Sequence, residues 1–419
     1  MKIKNKNNKK IIRSSSTSLL FSNTNKLSCL LNFINEYKKV ISITIDYLWD
    51  LEKVPSLLPK KMTVVIKSQT WLSARAIQCA CKQASGIVRG TRIKQKKRLW
   101  QIKQFNKNKM FKKARKLQRY YDKVKVSKPN IGNICPELDE RFVKMDFNNK
   151  NSFDAWITLT CLGNKMKLVF PIKKTKHFNK IIENGTIKKG IRISSDKITF
   201  NFLMNKPPLK TEGSILGVDI GIKDVCALSN NKYTNFKKDI HNHTLETIQK
   251  KLSRKKKGSK LFKKAQKHRT NYIKWYLNQI DFSNVKVLKI ENIKNLRMGK
   301  GSSRYMSHWT YPIIKNKLED LALWSGVQTI KISPIYTSQR CSKCGWTHKK
   351  NRKGKKFICT QCGNALDADH NASLNISFVL PEISKEEWLL HKNKNGFYWN
   401  VIGQEPIVPV VRKALELKM

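Results

Sequence analysis

Four cysteines and three acids carry the chemistry legible in this chain. Cys341-Ser-Lys-Cys344 is followed, after fourteen intervening residues, by Cys359-Thr-Gln-Cys362. Two Cys-x-x-Cys pairs at this separation can close a tetrahedral thiolate site around Zn²⁺. Four thiolates leave no position open for catalysis, so Cys341, Cys344, Cys359 and Cys362 are expected to hold a structural zinc. Directly after them comes Leu366-Asp-Ala-Asp369-His370, a helix start with Asp367 placed as N-cap and Asp369 in the first turn. Asp219 lies at the end of a predicted strand beginning at Ser214, beside Gly217 and Gly221, and Glu291 ends a second one beginning at Val285. If those strands are neighbours, both carboxylates emerge at one sheet edge, and the helix near Asp369 can bring a third. Three carboxylates in one place repel each other unless cations lie between them. Hard oxygen donors suit Mg²⁺ or Mn²⁺, and two such ions can activate a water and stabilise the departing oxygen of a phosphodiester. Asp219, Glu291 and Asp369 are therefore the expected catalytic and magnesium-holding residues. The glycines beside Asp219 would let a substrate backbone approach closely.

Charge narrows the partners. The 419 residues carry 86 Lys plus Arg against 28 Asp plus Glu, a formal net charge of +58. Self-repulsion of that size calls for a polyanion nearby, and phosphate backbone is the expected one. No apolar run approaches the length needed to span a bilayer, so no membrane partner is expected. Of the ten cysteines, those outside the two pairs show no disulfide framework, which points to a reducing compartment: the cytoplasm, and the nucleoid if the source is prokaryotic. The opening residues are basic and rich in Asn and Ser without a sustained apolar core, unlike a secretory signal.

Five regions follow from pattern and composition. Residues 1–61 read as a basic, low-complexity extension, poorly ordered or loosely attached, with Met62 as an alternative start. Residues 62–137 read as helical, with Leu72, Ala76, Ala80, Ala84, Ile87 and Val88 at helical spacing, followed by a basic stretch carrying interleaved aromatics. Either a solvated lysine face or a lobe tracking nucleic acid would give that pattern. Residues 138–212 alternate in short runs separated by turn residues, as a small β-barrel or sandwich would. Residues 213–380 give a β-hairpin, a basic helix over about 245–277, a strand, a Gly/Ser-rich loop at 297–307, an amphipathic helix from Trp309 to Trp324, a strand, the cysteine segment at about 337–366 and a last helix. That order suits an α/β domain of RNase H type bearing a metal-binding insertion. Residues 381–419, with Trp388 and Trp399, form a tail of no assigned role. The fold class is thus multidomain α+β.

The chain resembles the transposon-encoded TnpB proteins of the IS200/IS605 group, relatives of the compact Cas12 effectors. The resemblance rests on Gly217-Val-Asp-Ile-Gly-Ile, Lys289-Ile-Glu-Asn-Ile, Thr337-Ser-Gln-Arg-Cys-Ser-Lys-Cys-Gly, Phe357-Ile-Cys-Thr-Gln-Cys-Gly and Asp369-His-Asn-Ala-Ser-Leu-Asn-Ile. It is specific over about 213–378 and weaker over 62–212. It implies a RuvC-like nuclease with an inserted zinc segment, preceded by a wedge barrel and a helical recognition lobe that hold a guide RNA. It places Asp219, Glu291 and Asp369 in the catalytic positions and the four cysteines in the zinc positions. The implied activity is RNA-guided cleavage of target DNA, with the RNA reading sequence by base pairing. Two departures stand out: the sixty residues before the expected opening strand, and Ser373 where a second alanine is common. A compact Cas12-type CRISPR effector would share fold and residues; a zinc-containing nucleic-acid binder without catalysis, or a transposase, would differ in chemistry. His348, His370, Arg340 and the lysines at 349–356 are expected to be incidental or to contact phosphate. Oligomeric state is left open.

Overall fold

The computed structural model describes residues 10–55, 58–125, 127–147, 152–222, 224–230, 238–293, 310–384, 387 and 396–402. The chain divides into two compact units, Met1–Asn205 and Lys206–Met419. The Gly/Ser-rich loop expected at 297–307 and most of the tail beyond 381, including Trp388, lie outside the described residues.

The first unit begins where the sequence looks least promising. Strand β1 (Lys10–Ser18) is followed by α1 (Thr24–Trp49), α2 (Lys60–Ser68), α3 (Ala74–Lys107) and α4 (Phe111–Lys125). Helix α1 buries Leu30, Phe33, Ile34, Tyr37, Val40, Ile41, Ile45 and Leu48, a stripe at three- and four-residue spacing, and packs along α3. Helix α3 answers with small residues, Ala76, Ala80, Cys81 and Ala84, which let the two backbones approach. Ser73 caps α3 by accepting from the Ala76 amide at 3.1 Å.

Eight further elements complete this unit's regular structure: β2 (Glu137–Leu138), a 3₁₀ turn over Glu140–Phe142, β3 (Val143–Asp146), β4 (Ala155–Leu159), β5 (Leu168–Ile172), α5 (Lys176–Ile182), β6 (Gly185–Ile193) and β7 (Lys197–Asn205). The strands expected over 138–205 are present, yet their pairing is not that of one closed barrel. They form a four-stranded sheet in the order β1-β7-β6-β2 and a separate three-stranded sheet β3-β4-β5.

Residues 1–61 are therefore not a loose extension. Strand β1 pairs antiparallel with β7 along its whole length, from Lys10 opposite Asn205 to Ser18 opposite Lys197. The Ser-rich run mimics low complexity because β1 contributes hydroxyls rather than apolar side chains. Ser16 Oγ meets Thr199 Oγ1 at 2.8 Å, and Ser14 Oγ donates to Asn201 Oδ1 at 2.7 Å. The apolar layer comes from β7, whose Ile198, Phe200, Phe202 and Met204 are buried.

In the second unit, β8 (Ser214–Ile220) and β9 (Cys226–Leu228) form the expected hairpin. The long helix expected next is interrupted: α6 (Leu245–Ser253) and α7 (Lys260–Leu277) are separate. Gly258 adopts φ +88° between them, and Ser259 caps α7 by accepting from the Phe262 amide at 3.1 Å. That Gly-Ser pair is a stop-and-restart signal inside a run of lysines. Then come β10 (Val285–Glu291), α8 (Tyr311–Trp324) and β11 (Gln328–Ile332). The sheet order is β11-β10-β8-β9, with β8, β10 and β11 parallel. Helices α7 and α8 cover it through Tyr272, Ile273, Tyr276, Leu277, Ile314 and Leu318. The cysteine segment follows as short strands β12 (Trp346–Thr347), β13 (Arg352–Lys353), β14 (Lys356–Ile358) and β15 (Ala365–Asp367). Helix α9 (Ala368–Ser377) and strand β16 (Phe397–Tyr398) end the described chain. No helix among the described residues is long and apolar enough to cross a membrane.

The burial of α1 gives a direct test. Phe33→Ala removes a ring that is 0 % exposed and should cost about 3 to 5 kcal/mol, read as a fall in thermal midpoint. A chain begun at Met62 should fail to give soluble protein, because α3 loses α1 and β7 loses β1.

Candidate active site and thiolate metal centre

Helix α9 decides where the acids meet. It lies across β8 at Gly217, so closely that a Cβ there would stand 2.2 Å from the Ser373 carbonyl oxygen and 2.5 Å from the Ser377 nitrogen. The close approach that sequence assigned to a substrate is thus taken by the chain's own helix. Gly221 serves a turn instead, its α-carbon facing the Asp224 carbonyl. Side chains two apart on a strand share a face. Asp219 therefore lies on the same face as Gly217, one step beyond the helix. In the parallel partner, Lys289 stands opposite Gly217 and Ile290 opposite Val218, which brings Glu291 level with Asp219. Lys289 Nζ donates to the carbonyls of Ser377 and Phe378 at 3.1 and 2.7 Å, pinning the C-terminal end of α9.

The N-terminal end of α9 carries Asp369 to this edge. Asp367 caps the helix as expected, its Oδ1 accepting from the amides of Asp369 and His370, each at 3.0 Å. Asp219, Asp224, Lys355 and Asp369 line one pocket. Thr337 donates its hydroxyl to Glu291 Oε1 at 2.6 Å. Tyr311 donates to the Glu291 carbonyl and accepts from the Ile293 amide, fixing the end of β10. Asp369 is held by two cations of the cysteine segment: Arg352 Nη2 donates to Oδ1 at 2.8 Å, and Lys355 Nζ donates to Oδ2. Lys355 also reaches Asp224 Oδ2 at 2.7 Å.

Burial, then the charges of Glu291 and Asp369, pushes Asp219 up to about 8. Burial likewise raises Glu291, against the opposing pull of the Thr337 hydroxyl and Arg352. Burial would lower the Lys355 ammonium, but its bonds to Asp224 and Asp369 outweigh this and raise it. Buried carboxylates that resist ionising side by side are what a divalent cation relieves. Among the described residues, the three acids do not converge as tightly as two other sets whose ligand atoms lie within 4.8 Å of one another. Sequence reasoning missed Asp224 and Thr337 in this neighbourhood. Thr337, the first residue of the quoted cysteine motif, and Asp224, just past the Gly-Ile of the first motif, were the available signals.

The four expected cysteines form one of the tight sets. Cys341 and Cys362 have their sulfurs 3.7 Å apart, Cys344 and Cys359 theirs 3.6 Å apart. Tetrahedral zinc with Zn–S near 2.3 Å requires a sulfur–sulfur edge of about 3.8 Å, so these residues fit zinc. Two asparagines of α9, one turn apart and both fully buried, bind the knuckle to the helix. Asn371 Nδ2 donates to the Arg340 carbonyl at 2.8 Å and its Oδ1 accepts from the Ser342 amide at 3.0 Å. Asn375 Nδ2 donates to the carbonyls of Thr337 and Arg340. Ser373 is buried too, its Oγ donating to the His370 carbonyl at 2.7 Å, so the hydroxyl is absorbed within the helix.

Arg340 is not a phosphate contact. It is 3 % exposed and donates to the Trp399 carbonyl at 2.6 Å, the Cys341 carbonyl at 3.1 Å and Asn375 Oδ1 at 2.7 Å. Burial lowers it to about 10. His370 Nδ1 lies 3.3 Å from the Leu228 carbonyl, and His348 accepts from the Lys350 amide while stacking on Trp346. Both serve the local fold. The tail is also engaged: β16 pairs with β12, Trp346 opposite Tyr398 and Thr347 opposite Phe397.

Residues 311–376, from α8 through most of α9, match the family model described as Cas12f1-like, TNB domain. The chain is 40 % identical over 99 residues to the CRISPR-associated endodeoxyribonuclease Cas12f1 of Sulfoacidibacillus thermotolerans, covering 23 % of this chain and 22 % of that protein. It is 26 % identical over 260 residues to the TnpB-like protein MJ0751 of Methanocaldococcus jannaschii, covering 51 % of this chain and 90 % of the relative. The structure of the mini-RNA-guided endonuclease CRISPR-Cas_phi3 has the same fold, with a TM-score of 0.52 at 12 % identity, covering 88 % of this chain and 92 % of that one. The resemblance to TnpB-like proteins and compact Cas12 relatives therefore holds. The matches span less than half the length of the Cas12f1 proteins concerned.

The geometry predicts that Gly217→Ala will lift α9 from the sheet and cost about 3 kcal/mol, seen as a lowered thermal midpoint. Cobalt-loaded protein should show an intense thiolate-to-metal absorption that Cys341→Ser weakens and shifts, together with a fall in melting temperature.

Proposed function

We propose that this protein is an RNA-guided DNA endonuclease whose Lys206–Met419 unit is a RuvC-like nuclease. One observation carries the reading: Asp219 and Glu291 end adjacent parallel strands, and α9, seated on Gly217, brings Asp369 to the same edge. A pair of Mg²⁺ or Mn²⁺ ions held there would supply a nucleophilic water and stabilise the leaving oxygen of a phosphodiester. The remaining work belongs to the chain. Asp219 and Glu291 present their carboxylates from rigid strands, and Thr337 holds Glu291 Oε1 in one orientation. Arg352 and Lys355 neutralise Asp369 while no polyanion is bound, and both are placed to turn towards phosphate. The thiolate centre keeps the Arg352–Lys355 hairpin and the start of α9 in register through Asn371 and Asn375.

Guide RNA and target DNA are the partners this reading requires. The net charge of +58 supports a long polyanion. The surface of α3 and α4 does too: Trp100, Phe111 and Tyr120 are about half exposed among lysines and arginines. Arg98 lies 4.9 Å from the Tyr120 ring centre. Exposed aromatics in a basic field are platforms for stacking on unpaired bases. On this reading the Met1–Asn205 unit supplies the recognition lobe and wedge, and transposon association follows the TnpB-like relatives. The 40 % identity to a Cas12f1 over 99 residues favours a compact CRISPR effector as the second reading.

Sequencing the RNA that copurifies with the protein separates the two: a discrete RNA running past a transposon end supports the first, repeat-derived RNA the second, and no discrete RNA defeats both. With guide and target supplied, Asp219→Ala, Glu291→Ala and Asp369→Ala should each lower Mg²⁺-dependent cleavage more than about 100-fold, beyond what outer partners of a metal usually cost. Thr337→Val should cost roughly 10- to 100-fold and be partly recovered at high Mg²⁺. Unchanged cleavage in Asp219→Ala would leave a zinc-bearing binder without catalysis.

A further inference from the structure

The second tight set of ligand atoms belongs to no motif named so far. Asp239, His243 and His268 place one carboxylate oxygen and two imidazole nitrogens within 4.8 Å of one another. Asp239 and His243 lie on the segment that leads into α6, whose N-cap is Thr244; His268 projects from α7. All three are half-buried.

The carboxylate is oriented before any ligand arrives. Asp239 Oδ1 accepts from the amides of His241 and His243, each at 2.9 Å. This leaves Oδ2 facing His268 Nε2 at 3.0 Å. The rings of His243 and His268 meet edge to face with centres 5.2 Å apart. A simple ion pair between Asp239 and His268 would explain that contact but not its neighbour. His243 Nδ1 is buried, has no hydrogen-bond partner, and lies 3.4 Å from Asp239 Oδ1 without bonding geometry. A buried nitrogen left unpartnered is destabilising unless something else satisfies it. Here it stands at the third corner of a triangle whose other corners are a carboxylate oxygen and an imidazole nitrogen. In tetrahedral zinc sites ligand atoms stand about 3.3 Å apart, since Zn–N and Zn–O are near 2.0–2.2 Å. The carboxylate reaches both rings, Oδ2 at 3.0 Å from His268 Nε2 and Oδ1 at 3.4 Å from His243 Nδ1, and one ligand atom from each residue lies within 4.8 Å of the other two.

We propose that Asp239, His243 and His268 form a second metal site, for a divalent transition ion of the zinc class, separate from the four-thiolate centre. Two borderline imidazole nitrogens with one carboxylate oxygen make a donor set suited to Zn²⁺, and three protein ligands leave a fourth position for solvent. Binding fastens the segment before α6 to α7 through both histidines. The site does not depend on the nuclease reading, and its test uses no cleavage assay.

Untagged full-length protein, equilibrated with Zn²⁺ and freed of excess by gel filtration, should retain two zinc ions per chain. X-ray absorption should then show nitrogen and oxygen ligands at about 2.0 Å beside sulfur at about 2.3 Å. In His243→Ala/His268→Ala the content should fall to one. The cobalt-loaded form of that variant should keep its thiolate absorption, which reports that the rest of the unit has folded. Asp239→Asn, which preserves size and can still accept from the two amides, should also fall towards one. A single zinc per chain in the unaltered protein, with sulfur-only coordination, would overturn the proposal. So would two ions that survive the double substitution.

Discussion

Everything in the second unit is arranged around a helix resting directly on a strand's backbone. No residue with a side chain can stand between β8 and α9 at position 217, because the Ser373 carbonyl already occupies the place of a Cβ. That contact sets the height of α9 above the sheet. Height in turn sets where its first turn ends and hence where Asp369 is delivered. Lys289 anchors the far end of the helix, and the buried asparagines of its outer face hold the thiolate knuckle. One helix thus has three clients: the sheet below, the acids at its start and the cysteine segment above. Its ten residues are consequently short of interchangeable positions, and the motif from Asp369 to Ile376 is dense for this reason.

The electrostatics run against the chain's average. A protein with a large surplus of positive charge concentrates buried carboxylates at one sheet edge, and burial there raises Asp219 and Glu291. Arg352 and Lys355 moderate the repulsion from a hairpin belonging to a different part of the chain. Such an arrangement is tolerable with side-chain cations and better satisfied by small divalent ones, since these bring two charges without the entropy of ordering long side chains.

Much of this site was legible because the relevant residues are rare or spaced by chemistry. Acids are scarce, so those at element ends stood out, and paired cysteines can hardly be mistaken. Asp367 as N-cap followed from type and position. What sequence could not convey was which backbone comes near which glycine: Gly217 was assigned to substrate and serves α9. Arg340 looked like a phosphate ligand because its charge is visible in sequence and its burial beneath the tail is not. The Ser-rich opening misled for a related reason, since β1 borrows its apolar layer from β7 and needs only hydroxyls of its own. The Asp239 cluster was invisible because His268 comes from a distant helix and His243 lies in an unremarkable loop.

The pairing of β16 with β12 has a consequence in time as well as space. Arg340 precedes the first cysteine by one residue, yet the carbonyl that receives its guanidinium Nε belongs to Trp399. Gly396 fits against the Trp346 ring, where a Cβ would stand 2.4 Å from ring carbon. On the ribosome all four thiols emerge well before residue 399 does. During that interval the knuckle has its sulfurs but not its backing strand, and a cation is left beneath it without that carbonyl acceptor. The centre is therefore finished by a strand made after its last cysteine, which couples its maturation to the synthesis of that later segment.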